Sequence, residues 1–325
     1  MTRPVLLPAL LALSALAALL IGQVAVAPGV LWQGLVTGDG PGALFLGLIR
    51  GPRVLVAIGA GAALGLSGAI FQTLFRNPLA APDVMGFTHG AGLAVIVATA
   101  LGLAAPMPLV AAAGGLIAAA AVALLAWRPG HVTPPLSLIL VGLGVGFATS
   151  SLSTLLLTRL PVNEAMDAQQ WLVGSLTART WGHGAQVWGL GAVLLIAAFA
   201  QIRLLAALEL GADLAAGLGL RVERARWGIA ATGVLLAAAA VAVAGPVPFV
   251  ALMATPLGSR IAGARGPAAR LAAGALAGAL VLVLADLAGR ALMSGLQFPA
   301  GVMTGILGAP YLLWRLSREM DRGEL

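Results

Sequence analysis

Apolar residues run along this chain in stretches of about twenty, each closed by a short cluster of Arg, Pro, Gly or acidic residues. A run of roughly 20 apolar residues is what a helix needs to cross the hydrocarbon core of a bilayer. On that pattern, spanning helices are predicted at 5–27, 54–75, 84–104, 108–127, 136–158, 185–202, 227–244, 249–263, 269–292 and 297–316. The expected fold class is all-α: a polytopic membrane protein of about ten transmembrane helices, forming one domain over 1–325.

The sharpest break follows the second segment, where Gln72, Arg76, Asn77, Pro78 and Pro82 succeed an apolar helix. Proline lacks a backbone donor and clashes with the preceding turn, so the helix cannot run on through this stretch. A second polar insertion lies between Arg203 and Arg226 and contains Glu209 to Leu220. Its Leu210, Leu214 and Leu218 recur every four residues, which predicts a short helix with one apolar stripe, and Gly217 and Gly219 supply its end. That helix either lies on the membrane surface or docks into a partner. A third insertion, Arg159 to Gly184, predicts a short outer helix, with Trp171, Trp181 and Trp188 as interfacial anchors.

Composition sharpens the picture. Hydrophobic residues make up 60% of the chain and charged ones 9%, against about 25% charged in soluble domains. The many Ala and Gly residues favour close helix approach in lipid. There is no cysteine, which removes disulfides and thiolate metal sites. There is no lysine either, and all 18 basic residues are Arg. A P-loop needs a lysine on the phosphates, so ATP hydrolysis would have to come from another chain.

The net charge of +7 is spread between apolar segments rather than gathered on one soluble face, and no nucleic-acid partner is predicted. With the N-terminus inside, Arg3, Arg76, Arg128, Arg203, Arg221, Arg224, Arg226, Arg260, Arg265, Arg270, Arg315, Arg318 and Arg322 face inward. Arg50, Arg53, Arg159, Arg179 and Arg290 face outward. Thirteen against five agrees with the positive-inside rule. Arg3 before an apolar run that closes on Ala25, Val26, Ala27 and Pro28 would suit a leader. The run is long and nine more follow, so it is read as a span.

Little else suggests chemistry of its own. His89, His131 and His183 stand far apart without acidic neighbours at ligand spacing, so neither a metal site nor a cofactor is expected. Asp286 and Arg290 share one face of the ninth helix at i,i+4, a spacing that lets an intramembrane acid be paired. A proton relay through Asp286 would need further buried carboxylates, and Asp83 is the only other acid near a span. Gly68 with Pro78-Leu79, and Gly245 with Pro256-Leu257, hint at an internal repeat.

Taken together, several segments resemble the permease subunits of ATP-binding-cassette importers for ferric siderophores, haem and vitamin B12. They are Arg50-Gly51-Pro52-Arg53, Gln72 to Pro82 with Gly86 and Gly90-Ala91, Trp171 to Leu176, Leu218-Gly219, Gly245 with Phe249-Val250, Asp286 with Arg290, and Pro299 to Val302 leading to Gly308-Ala309-Pro310. The resemblance implies the type II importer permease fold, placed in the bacterial cytoplasmic membrane among its lipids. It implies a second permease chain, most simply another copy of this one, two ATPase subunits inside and a solute-binding protein outside. By matching positions, Glu209, Gly211, Asp213, Leu218 and Gly219 would meet the ATPase, and Arg50, Arg53 and Arg290 would dock the binding protein. Gln72, Asn77, Pro78, Leu136 and Ser137 would belong to the translocation path and its gate. No catalytic residue is expected.

The chain departs from that family where a Pro-His pair is usual: it reads Thr255-Pro256-Leu257-Gly258-Ser259-Arg260, and Ala251 stands where glycine is common. The alternative reading is an ion- or proton-coupled secondary transporter centred on Asp286. An integral membrane enzyme lacks any constellation of catalytic residues to support it.

Overall fold

The computed structural model describes residues 3–128, 133–292 and 295–321; His131 and Arg322 lie outside them. The chain opens with α1 (Arg3–Leu20), two short helices α2 (Pro28–Thr37) and α3 (Gly40–Leu44), a π-helical turn (Phe45–Ile49) and the long α4 (Gly51–Leu74). A 3-10 turn (Pro82–Met85) leads into α5 (Phe87–Ala100), followed by α6 (Met107–Ala126), α7 (Pro135–Leu157), α8 (Val162–Leu172) and α9 (Trp181–Ala200). Then come α10 (Ile202–Glu209), α11 (Ala212–Gly217), α12 (Val222–Ala244), α13 (Val250–Ala262), α14 (Pro267–Ala291) and α15 (Ala300–Asp321). No strand occurs among the described residues.

Each of the ten expected spans is matched by a helix: α1, α4, α5, α6, α7, α9, α12, α13, α14 and α15. The largest discrepancy lies between the first two. The helix expected over 5–27 stops at Leu20, and residues 28–49 form α2, α3 and the π turn. Gly38, at φ 73°, closes α2, and the chain doubles back so tightly that a Cβ on Gly42 would overlap the Val30 carbonyl oxygen. This hairpin exposes Trp32, Leu35, Val36 and Leu48, apolar side chains suited to lipid. Pieces of five to ten residues fall below the length that a hydropathy pattern resolves.

Burial sorts the long helices into a centre and a periphery. The most apolar windows of α4 and α12 are 83% and 78% buried, against 17% for both α7 and α9. Small residues allow this core. Gly61 and Gly65 on α4 face Gly274 and Gly278 on α14, and a Cβ on Gly65 would run into the Gly274 carbonyl oxygen. Such backbone contact lets two helices pack in lipid, where hydrophobic exclusion does not drive them together. Ser67 adds a bond from its hydroxyl to the Gly233 carbonyl of α12, at 2.7 Å.

The residues of the suggested repeat sit in different local settings in the two halves. Gly68 lies inside α4 against Ala251, whereas Gly245, at φ 71°, ends α12; Pro78 sits in a loop and Pro256 inside α13.

Candidate functional site

At the inner end of the bundle a cavity of about 570 Å³ opens between the end of α4, the α10–α11 bend and the inner parts of α13, α14 and α15. It gathers Gln72, Asn77 and Pro78, expected in the path, with Glu209, expected at the ATPase contact. The geometry explains why Gln72 is there. Pro256 has no N–H for the carbonyl one turn earlier, that of Leu252. The Gln72 side-chain amide donates to the Leu252 oxygen instead, at 3.0 Å, and reaches the Ala251 oxygen at 3.4 Å. The glutamine and the carbonyl it serves lie 180 residues apart, and with the proline they form one structural unit. Asn77 shapes the turn after α4, its Oδ1 accepting from the Leu79 backbone N–H at 2.8 Å.

Leu136 and Ser137 lie elsewhere. They occupy the first turn of α7, where Leu136 is 64% exposed, so the five residues expected in the path divide between two places. The loop before them is held to α12: Glu223 accepts from the Thr133 backbone N–H, the Thr133 hydroxyl and the Trp227 indole, and Arg226 donates to the Thr133 carbonyl.

The expected single helix over 209–220 is two. Gly211, at φ 109°, breaks it, so α10 ends at Glu209 and α11 runs from Ala212 to Gly217. Only glycine adopts that backbone region without strain. Glu209 forms an ion pair with Arg270 of α14, and the Arg76 guanidinium lies against Gly211. Ala215 is fully buried and anchors α11, while Leu210, Leu214 and Leu218 are 58%, 62% and 66% exposed. The three leucines read from the spacing are exposed as expected, but the break at Gly211 puts Leu210 before α11, Leu214 within it and Leu218 at its end, so they do not share one continuous helix. Asp213 is exposed in the first turn of α11, and Gly219, at φ 83°, turns the chain toward α12.

The outer arginines differ from expectation. Docking implies exposed guanidiniums, yet Arg50, Arg53 and Arg290 are 4%, 7% and 5% exposed. Arg53 grips the Asp286 carboxylate with two nitrogens, at 2.8 and 2.9 Å, and Arg290 joins it at 3.1 Å. Spacing disclosed only the second of these, because Arg53 lies 233 residues from Asp286. Arg50 donates to the carbonyls of Leu19 and Val24, and Arg290 to that of Ala18, fastening the end of α1. The segment after α8 completes this outer end: Ser175 N–H bonds to the Ala244 carbonyl and Gly301 N–H to that of Gly174. Arg179, in the loop before α9, has its pKa lowered first by burial and then by the nearby Arg53 charge. Trp181 and Trp188 turn their indole N–H groups inward to the carbonyls of Gly47 and Leu55.

No group of metal-ligating side chains occurs among the described residues. Asp286 is 2% exposed and ion-paired with both Arg53 and Arg290.

The comparisons with known proteins agree with this architecture. Residues 10–318 match the model of the FecCD transport family. The chain is 43% identical over 289 residues to the ferric enterobactin transport system permease protein of Escherichia coli (strain K12), covering 87% of this chain and 86% of that protein. It is 35% identical to the Fe(3+) dicitrate transport system permease protein of the same organism, over 83% of this chain and 84% of that one. A solved structure described as an inward-facing conformation of a candidate metal-chelate type ABC transporter superposes with a TM-score of 0.83 at 26% identity, covering 97% and 98% of the two chains. With its family model matched almost end to end and its bundle of membrane-length helices, the chain is a multi-pass membrane permease that belongs to the FecCD transport family.

Proposed function

We propose that this permease carries a ferric chelate of the siderophore type inward, driven by ATP hydrolysis on a separate subunit. The observation that carries the reading is α11: a short helix anchored at Ala215, with Leu214 on it and Leu210 and Leu218 just beyond its two ends all exposed at the inner end of the bundle. An apolar patch of this kind, next to an exposed Asp213, fits a groove on a partner protein. Glu209, Gly211, Asp213, Leu218 and Gly219 form this contact, and two ATPase copies would serve a pair of permease chains. The weakly covered faces of α7 and α9 are surfaces for lipid and for the second permease chain, a homodimer being the simplest pairing.

At the outer mouth, the docking role of Arg50, Arg53 and Arg290 becomes that of a field. With Arg179, close to Arg53, they make a cluster of four guanidiniums in which only Arg53 and Arg290 pair with Asp286, and the surplus draws acidic side chains of a solute-binding protein. Charge complementarity of this kind acts mainly on orientation and on-rate. A ferric siderophore fits the iron chelates named for two of the relatives, and Gln72, Asn77, Pro78, Leu136 and Ser137 stand along its route.

The test is uptake of radiolabelled ferric siderophore into proteoliposomes holding the permease, its ATPase and its binding protein. Uptake that needs ATP and the binding protein, and is lost with Asp213→Arg while the permease remains folded, supports the reading. Uptake by the permease alone on a proton gradient would replace it with the secondary-transport reading.

A further inference from the structure

The inner cavity holds more positive charge and more unused donors than its part in the transport path requires. Among the described residues, Arg76 and Arg270 line it together with one carboxylate, Glu209. Glu209 is engaged by the terminal nitrogen of Arg270, and the Nε of the same guanidinium is buried without a partner. The hydroxyls of Thr255 and Ser259, both lining the cavity, are also buried and unpartnered, and Thr255 is only 5% exposed. Buried donors are normally satisfied, and each one left over asks for a ligand or water. Here the unused groups are donors beside a net positive charge, which is the environment of an oxygen-rich anion.

The sequence neighbours of the lining residues indicate the depth of the cavity. Trp314 on α15, next to the lining Arg315, has two guanidiniums near its ring, Arg260 at 5.6 Å and Arg318 at 4.9 Å from the ring centre. Trp beside Arg at a helix end marks the headgroup level of a bilayer, and basic pockets between helices on the cytoplasmic side receive phosphate headgroups.

We propose that this cavity binds a phosphate-bearing anion, held by Arg76 and Arg270 with the Thr255 and Ser259 hydroxyls as neutral donors. The group comes from an anionic phospholipid headgroup or from soluble phosphate. The volume of about 570 Å³ exceeds what a bare phosphate fills and leaves space for a glycerol moiety. The anion would neutralise the charge surplus next to Gly211 and Glu209, the residues that set the angle of α11, so its occupancy would bias the position of the helix offered to the ATPase. The inference does not depend on which solute is carried.

Native mass spectrometry of the delipidated, full-length permease tests it, with phosphatidylglycerol, phosphatidylcholine and inorganic phosphate as probes. Wild type is expected to retain phosphatidylglycerol and not phosphatidylcholine, and Arg76→Gln to weaken retention about fivefold, the effect of one guanidinium near a membrane surface. Thr255→Val, which keeps every charge, is expected to weaken it less; it carries the test alone if Arg76→Gln is not monodisperse. Retention indifferent to millimolar phosphate assigns the site to lipid. Displacement by phosphate, with a thermal shift in wild type that the variants lack, assigns it to the soluble ion. Equal retention of phosphatidylglycerol in wild type and both variants, with no phosphate effect, overturns the proposal. Binding is read without transport, so a failure of the importer reading leaves this result standing.

Discussion

Replacing Gln72 by Met keeps the length of the side chain and removes the donor that reaches across to α13. The Leu252 carbonyl then loses its side-chain donor while Pro256 still denies it a helical one. Gln72 is 8% exposed, so water replaces the bond poorly. Leaving a buried acceptor unpaired costs about 1–3 kcal/mol, and side-chain bonds between membrane helices average about 0.6 with a maximum near 1.7 kcal/mol. The expected loss is therefore about 1–1.5 kcal/mol, close to tenfold in the unfolding equilibrium. Pro256→Ala restores an N–H at that position, and in its background Gln72→Met is expected to cost less than about 0.5 kcal/mol, because the Leu252 carbonyl is satisfied within its own helix. Reversible unfolding in mixed micelles, run on all four proteins, gives the coupling energy directly. Equal penalties for Gln72→Met in the two backgrounds would show that the glutamine does not serve the gap left by the proline.

Three other outcomes follow from the packing and the charges. Asp286→Asn leaves Arg53 and Arg290 buried beside a neutral group, and breaking such a pair from one side costs about 3–5 kcal/mol; thermal unfolding in detergent should show a large fall, and an unchanged midpoint would count against the cluster as a structural tie. Gly65→Val pushes a side chain into the Gly274 backbone, so the yield of monodisperse protein should drop with an overpacking penalty of at least about 1–3 kcal/mol. Leu214→Asp changes an exposed side chain and should leave the unfolding midpoint within about 0.5 kcal/mol of wild type. Its effect should appear in co-purification with the ATPase, and undiminished recovery of that complex would argue against α11 as the docking helix.

How much of this was legible in the sequence depends on the distance over which each feature is encoded. The ten predicted spans follow from local hydrophobic runs, and a helix is found at each, six of them, among the described residues, long and apolar enough to cross a membrane; the Leu210, Leu214 and Leu218 period is local too, and all three are exposed. The Asp286–Arg290 pair follows from helical spacing and is also present. Arg53 on the same carboxylate, and Gln72 under Pro256, join residues from distant parts of the chain, and no single-sequence period carries that information. The break at Gly211 was missed for another reason: a four-residue apolar repeat tolerates a glycine, whereas the backbone at φ 109° is chosen by the Glu209–Arg270 tie on one side and the buried Ala215 on the other. Charge counting groups Arg50, Arg53 and Arg290 together, but it says nothing of their burial.

The distribution of these ties constrains how the bundle can move. Helix α14 is fastened at its inner end by Arg270 to Glu209 and at its outer end by Asp286 to Arg53 of α4, and between those points glycine backbones of α4 and α14 touch. Any rearrangement that keeps these bonds moves α4 and α14 together. Of the six membrane-length helices the least covered are α7 and α9, and α9 runs through Gln201 into α10 without a loop. A push on α11 that passes into α10 therefore has two exits. One goes through the Glu209–Arg270 pair into the rigid α4–α14 unit, and the other through α10 into α9. Because the first is an ion pair at the wall of an open cavity and the second a nearly continuous backbone, the backbone is the stiffer link, and displacement of α11 is expected to reach α9 before it moves the core.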